Sequence, residues 1–164
     1  MPMNISAISR MMALLMVANG APVLAKKICG RRFSHPVDSG AKFADGQPVF
    51  GPSKTFRGVA AAVLATTAAS PLVGVNPTVG AMAGSAAMSG DVASSFLKRR
   101  LNLPPSSQAL GLDQIPESLF PMLACRGALS LTAADVALGV AVFFGGELVL
   151  SRLLYRVHLR DVPY

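Results

Sequence analysis

Five apolar stretches alternate with polar ones along this chain, and that alternation limits the possible folds more than any single motif does. The stretches run over about 5–28, 59–75, 78–97, 112–131 and 133–155. Each approaches the ~20 residues a helix needs to cross a bilayer, although none is an unbroken apolar run. Only 14% of the residues are charged, against about 25% in soluble domains, which is too little polar surface for the chain to cover itself. The pattern predicts an all-α membrane protein, a single domain over 1–164 with about five transmembrane helices. Between helices 1 and 2 it places a structured polar loop, 29–58, rich in Gly and Pro; a second loop covers 98–111.

Charge orients the helices. If five segments alternate, one side of the membrane receives 13 of the 15 Lys and Arg residues, from Lys26, Lys27, Arg31 and Arg32 through Lys42, Lys54, Arg57 and Lys98–Arg100 to Arg152, Arg156 and Arg160. The other side receives Arg10 and Arg126. The crowded side is then cytoplasmic and the N-terminus lies outside. Val23-Leu24-Ala25 ahead of two lysines faintly resembles a leader cleavage site. With Arg10 alone as the basic start of a long segment, a retained helix is the better reading, with a polar interruption at Asn19-Gly20-Ala21-Pro22. A four-span chain would leave both loops on the same side.

The formal charge of +7 suits a nucleic acid, a membrane surface or a phosphate-bearing ligand. No Trp and few other aromatics accompany the positive charges as stacking platforms, which speaks against single-stranded nucleic acid, and no nucleic-acid partner is expected. Cys29 and Cys125 form no metal pattern and are read as free thiols. His35 and His158 are read as surface or interface residues.

Three polar clusters fall on the cytoplasmic side. In Gly90–Arg100, Asp91, Ser94, Ser95 and Lys98 share one helical face, backed by the small residues Gly80, Gly84 and Ala87. A carboxylate in an apolar helix is costly to bury and marks a functional candidate, although Asp91 could simply pair with Lys98 on its own helix. The loop 29–58 holds Asp38, Asp45, Lys54, Thr55 and Arg57. Asp113, Gln114 and Glu117 follow, with Asp113 and Glu117 one turn apart on the same side. Carboxylates beside lysines at a membrane surface suit phosphates held through Mg²⁺, which takes one or two protein carboxylates plus substrate phosphates. Gly51-Pro52-Ser53-Lys54-Thr55 lacks the spacing of a nucleotide-binding P-loop. Glu147, within the last segment, receives no role.

The order Asn19-Gly20-x-Pro22, Pro36-x-Asp38-x-Gly40, Phe43-x-Asp45-Gly46, Gly51-x-x-Lys54-Thr55-x-Arg57-Gly58, Gly90-Asp91-x-x-x-Ser95-Phe96-x-Lys98-Arg99-Arg100 and Leu112-Asp113-Gln114 resembles the CDP-archaeol synthase family, itself related to phosphatidate cytidylyltransferase. The resemblance runs from about Asn19 to the C-terminus, and a bacterial-type member is expected. It implies an Mg²⁺-dependent enzyme of the inner or plasma membrane that moves a cytidylyl group from CTP to a lipid phosphate and releases pyrophosphate. By motif, it implies Asp91 and Asp113 as metal ligands and Lys54, Lys98 and Arg99 as phosphate contacts. It assigns Asn19, Asp38, Asp45, Thr55, Arg57, Ser95 and Gln114 to shaping the substrate site. Pro116 stands where the family often has an acid, and Glu117 one residue later is the remaining candidate for a further ligand.

Two other readings fit the composition. A small membrane transporter or channel subunit would explain an intramembrane Asp91 but not the polar clusters on one side. A non-catalytic scaffold would not need Asp91, Lys98 and Asp113 together. Incorporation of cytidylyl into lipid separates both from the enzyme. Small residues on segments two and three also permit a homodimer.

Overall fold

A computed structural model describes residues 3–104, 107 and 109–156, with side chains through Arg152. His158 and Arg160 lie outside the described residues. The described chain is helical, with five α-helices: α1 Ile5–Cys29, α2 Phe56–Ala69, α3 Pro77–Arg100, α4 Gln114–Ala124 and α5 Ala133–Arg156. A 3₁₀ turn, Ser70–Val73, closes α2. Among the described residues there are no strands, only isolated bridges at Pro36–Thr55 and Lys42–Pro48 inside the long loop.

Three of these elements are long and apolar enough to cross a membrane: α1, α2 with its 3₁₀ turn, and α5. Their outer faces carry Met16, Leu24, Leu64, Val142 and Val149, all exposed, as a lipid-facing surface requires. The integral membrane character expected from composition is thus present in the fold.

Helix boundaries differ from the apolar pattern where capping and proline intervene. α1 runs unbroken through Asn19–Pro22, since Pro22 removes a single backbone donor and the helix continues to Cys29. α2 starts three residues earlier than its apolar run because Thr55 caps it, Oγ1 accepting from the Gly58 N–H at 3.2 Å. Pro71 converts its last turn to 3₁₀. The fourth segment is the largest departure: helix covers 11 residues, not the whole of 112–131. At 1.5 Å per residue that is about 16 Å, half a hydrocarbon core. Residues 125–131 leave the helix in turns.

The segment still passes from one end of the bundle to the other. Gly90 abuts the backbone of Pro116 and Glu117, while Cys125 reaches the Val79 carbonyl eleven residues nearer the start of α3. α3 is the central element, packed against both α2 and α4. A Cβ on Gly80 would meet the Thr66 carbonyl and Ser70 at 2.6 Å, and one on Gly84 would overlap Thr66 Oγ1. Gly80 and Gly84, read from sequence as a surface for close helix approach, are therefore used inside the monomer against α2. α1 supplies the core itself, with Met11, Leu14, Leu15 and Ala18 buried among the other helices.

The far end is locked by Asp135, which is fully buried. Its carboxylate accepts from the Asn4 N–H at 2.8 Å, the Thr132 N–H at 2.8 Å and the Thr132 hydroxyl at 2.8 Å. This joins the start of α1 to the start of α5. Asp135→Ala removes the acceptor from three partly buried donors and is expected to lower the thermal unfolding midpoint by several degrees, measured by circular dichroism in detergent. Thr132→Val, which keeps the shape but removes the hydroxyl that donates to the Asp135 carboxylate and accepts from the Asp135 N–H, is expected to lower it less, since two donors to the carboxylate remain.

Candidate active site

The opposite end of the bundle holds a cleft of about 860 Å³ between α1, α2, α3, α4 and the end of α5, roofed by the 30–55 loop. Six Lys and Arg side chains line it against four carboxylates, so the cleft favours an anion while retaining hard oxygen donors.

Lys54 is set by the loop that precedes α2. The Val37 N–H donates to the Lys54 carbonyl at 2.8 Å, and the Phe56 N–H to the His35 carbonyl at 3.1 Å, closing the loop on itself. Lys54 Nζ then donates to Asp91 Oδ1 at 2.5 Å, joining the loop to α3. Lys98 lies seven residues along α3 from Asp91. Its Nζ instead meets Asp113 Oδ1 at 2.7 Å, just before α4, and the Ser107 carbonyl at 2.9 Å. Pairing of Asp91 with Lys98 on one helix, open from sequence, is not what the fold makes. Two ion pairs each bridge separate elements, and Lys98 itself is buried. Burying an ammonium has a desolvation penalty that a single pair scarcely offsets, so such pairs are poor stabilisers and good candidates for function.

Arg99 carries the least satisfied charge in the cleft. It is 3% exposed; Nη2 donates to the Pro104 carbonyl at 2.8 Å, while Nε and Nη1 are buried without a partner. Buried guanidinium donors are normally paired, and two unpaired ones beside two lysines are suited to phosphate oxygens. Asn19, from the middle of α1, also lines the cleft with Oδ1 buried and unpartnered. Thr55, Ser95 and Gln114 line it too, although Thr55 caps α2 and Gln114 Oε1 accepts from the Gly111 N–H. Arg57 lines it and ties the ends of α1 and α2 together, Nη1 donating to the Gly30 and Arg32 carbonyls. Ser94 is buried and bonds back to the Asp91 carbonyl, away from the cleft lining.

Asp38 and Asp45 do not reach the cleft. Asp38 accepts from the Gly40, Phe50 and Gly51 N–H groups at 3.0, 2.9 and 2.8 Å, so it organises the loop. Burial raises its pKa, but the donations from Gly51, Phe50 and Gly40 outweigh this and hold it below the usual carboxylate value. A carboxylate depressed in the folded state stabilises above its unfolded pKa, and that contribution is lost as pH falls through the folded value. Hydrogen-exchange protection at Phe50 and Gly51 is therefore expected to persist down to about pH 4 and decline below it. Asp38→Asn is expected to lower that protection at neutral pH and flatten its acid dependence. Asp45 pairs with Arg100 at 2.6 Å on the outer side of the loop.

Asp91, Asp113, Glu117 and Glu147 share the cleft, so two adjacent turns of sequence (Asp113 and Glu117) do face the same way, and Glu147 belongs with them although nothing in its surroundings in sequence marks it. Among the described residues, no three His, Cys, Asp or Glu side chains converge as a ligand set. Mg²⁺ needs no such set: one or two carboxylates plus substrate phosphates complete its shell, and Asp91 and Asp113 fit that requirement as hard donors in a phosphate-suited cleft.

Residues 73–164 match the family model described as CarS-like, CDP-archaeol synthase. The CDP-archaeol synthase of Hyperthermus butylicus is 37% identical over 161 residues, spanning 91% of this chain and 90% of that protein. That of Thermofilum pendens is 31% identical over 155 residues, spanning 90% and 76%. A solved structure reported as structural insight into an intramembrane enzyme for archaeal membrane lipids biosynthesis superposes with a TM-score of 0.72 at 30% identity, covering 86% of this chain and 90% of that one. These relatives are archaeal rather than bacterial. Matched along nearly its whole length in sequence and in fold, the chain belongs to the CDP-archaeol synthase family.

Proposed function

We propose that the protein is an Mg²⁺-dependent CTP:lipid-phosphate cytidylyltransferase, forming a CDP-activated lipid and pyrophosphate in a cleft open to the cytoplasm. Its family makes it a cytidylyltransferase of a membrane lipid phosphate. The observation that carries the detailed reading is the pairing of Lys54 with Asp91 and Lys98 with Asp113 beside the unsatisfied Arg99 in one cleft.

The chemistry needs no protein base. A lipid phosphate with a second pKa near 6 is mostly dianionic at neutral pH. One of its oxygens attacks the α-phosphorus of CTP; the new P–O bond forms as the bond to the β-phosphate breaks, and the electron pair leaves on pyrophosphate. What the site must do is bring two anions together and neutralise the charge on the leaving group. Lys54, Lys98 and Arg99 supply fixed positive charge for this, with Lys54 and Lys98 held by their carboxylate partners. Asp91 and Asp113 would hold Mg²⁺, which when bound supplies charge stabilisation at phosphate oxygens. Glu117 lines the same cleft without completing a three-carboxylate set.

The proposed topology has the N-terminus outside and five passes, the fourth made by the short α4 with its flanking turns. It is supported by charge: with five alternating passes, 13 of the 15 Lys and Arg residues fall on one side and Arg10 and Arg126 on the other. The test is transfer from α-labelled CTP into lipid by purified protein with Mg²⁺, across ether- and ester-linked lipid phosphates. Label in lipid that disappears on chelation is the expected result. Folded protein that labels none of the acceptors would overturn the reading and leave the transporter or scaffold.

A further inference from the structure

Phe50 is the sole aromatic side chain lining the cleft among the described residues. It does not stand alone. Its ring meets Phe96 of α3 edge-on, centroids 6.4 Å apart at 64°. Phe96 in turn meets Phe43 at 5.4 Å and 86°. The Arg100 guanidinium lies 4.7 Å from the Phe43 centroid and 5.0 Å from that of Phe96, and pairs with Asp45. From the other side, Asp38 Oδ2 takes the backbone N–H groups of Phe50 and Gly51. A loop aromatic at a cleft wall is thus held by an aromatic brace and by a buried-side backbone clamp. An apolar ring kept at a polar cleft needs a reason, because the same loop could expose Phe50 freely as it does Phe33.

We propose that Phe50 is the stacking platform for the nucleobase, and that Asp38 acts through it as a positioning residue. The inference rests on the nucleotide-transfer reading of this cleft. Position favours a base over a lipid chain. Phe50 lies on the loop outside the helices and packs at Phe96, whereas the buried apolar cluster of Leu15, Ala18, Ala62, Ala87 and Met88 lies on the other side of Asp91 along α3. Lys54 meets α3 at Asp91, between that cluster and Phe96, and Lys98 and Arg99 follow Phe96 in the last turn. A nucleotide whose phosphates these cations hold would thus have its base beside Phe50, and a lipid would extend its chains past Met88 toward the membrane. Stacking tolerates any base, so the platform supplies affinity for the nucleoside and not the choice of cytosine over uracil. It also accounts for two acids that the family resemblance associates with the site but that the fold keeps out of it: Asp38 clamps the platform and Asp45 holds its brace.

The test compares binding of CTP and of tripolyphosphate, with Mg²⁺, by titration calorimetry on the full chain in detergent. Phe50→Ala is expected to weaken CTP binding about ten- to a hundredfold and to leave tripolyphosphate binding unchanged. Phe50→Tyr is expected to bind CTP as the unsubstituted protein does. Phe50→Leu, which keeps apolar bulk without a π-face, is expected to lose CTP affinity as Phe50→Ala does, and carries the test if the alanine variant does not fold. Asp38→Asn is expected to show the same split more weakly. Equal weakening of both ligands, or CTP affinity unchanged in Phe50→Leu, overturns the platform while leaving the transfer reading intact. An unsubstituted protein that binds tripolyphosphate but not CTP overturns the transfer reading and the platform with it.

Discussion

Asp91→Asn is expected to lower cytidylyl transfer by about 10²–10³-fold while far-UV circular dichroism and the unfolding midpoint stay near those of the unsubstituted protein. The substitution keeps the volume and removes the charge that holds Lys54 Nζ at 2.5 Å. Both side chains remain partly open to the cleft, at 20% and 26% exposure, so the loss to folding is small. The loss to chemistry is large because one change frees the lysine from its position and removes a hard donor from the phosphate site. Lys54→Ala is expected to have a loss of the same order. The double variant should lose little more than either single one, since the two groups act as a unit. Full additivity, or normal transfer by Asp91→Asn, would mean that the pair merely ties the loop to α3.

Gly90→Ala has the largest expected effect on the fold, a destabilisation of about 3 kcal/mol or more. A Cβ there would overlap the Pro116 carbonyl oxygen and lie 2.5 Å from its carbon and 2.8 Å from the Glu117 nitrogen. These are backbone atoms, so no rotamer change relieves the contact; α4 must move away from α3. Asp113 and Glu117 move with it, and the Lys98–Asp113 pair at 2.7 Å opens. Thermal unfolding in detergent measures the stability term, and transfer activity falls even under conditions where the variant remains folded. Gly146→Ala on α5 is the contrast. Its Cβ would meet nothing within 4 Å, so it is expected to stabilise by about 0.5–1 kcal/mol through helix propensity alone. Equal stability for Gly90→Ala and the unsubstituted protein would show that α3 and α4 do not approach at Gly90.

Membrane character, five helices and one face of α3 were legible because each depends on spacing within a single segment. An apolar run reports burial in lipid, and a 3.6-residue period puts Asp91, Ser95 and Lys98 on one stripe, all of which line the cleft. The close approach of helices at Gly80 and Gly84 was legible for the same reason. The extent of helix four was not, because turns at 125–131 follow an apolar sequence that hydropathy alone reads as span. Motif resemblance grouped Asp38 and Asp45 with the site residues, since a motif records which residues go together and not which of them face the ligand.

Composition and local period therefore fix the solvent, the number of helices and the residues that share one face of α3. Who pairs with whom depends on the tertiary fold. It gave Lys54 to Asp91 and Lys98 to Asp113, left two donors of Arg99 unmet, brought Glu147 to the cleft and set Phe50 at its wall. Partner choice among several cations and carboxylates depends on distances of a few ångströms between separate elements, because Coulomb energy at short range rises steeply as groups close and leave water. Those distances are set by where the small residues let α3 meet α2 and α4, which no single segment encodes.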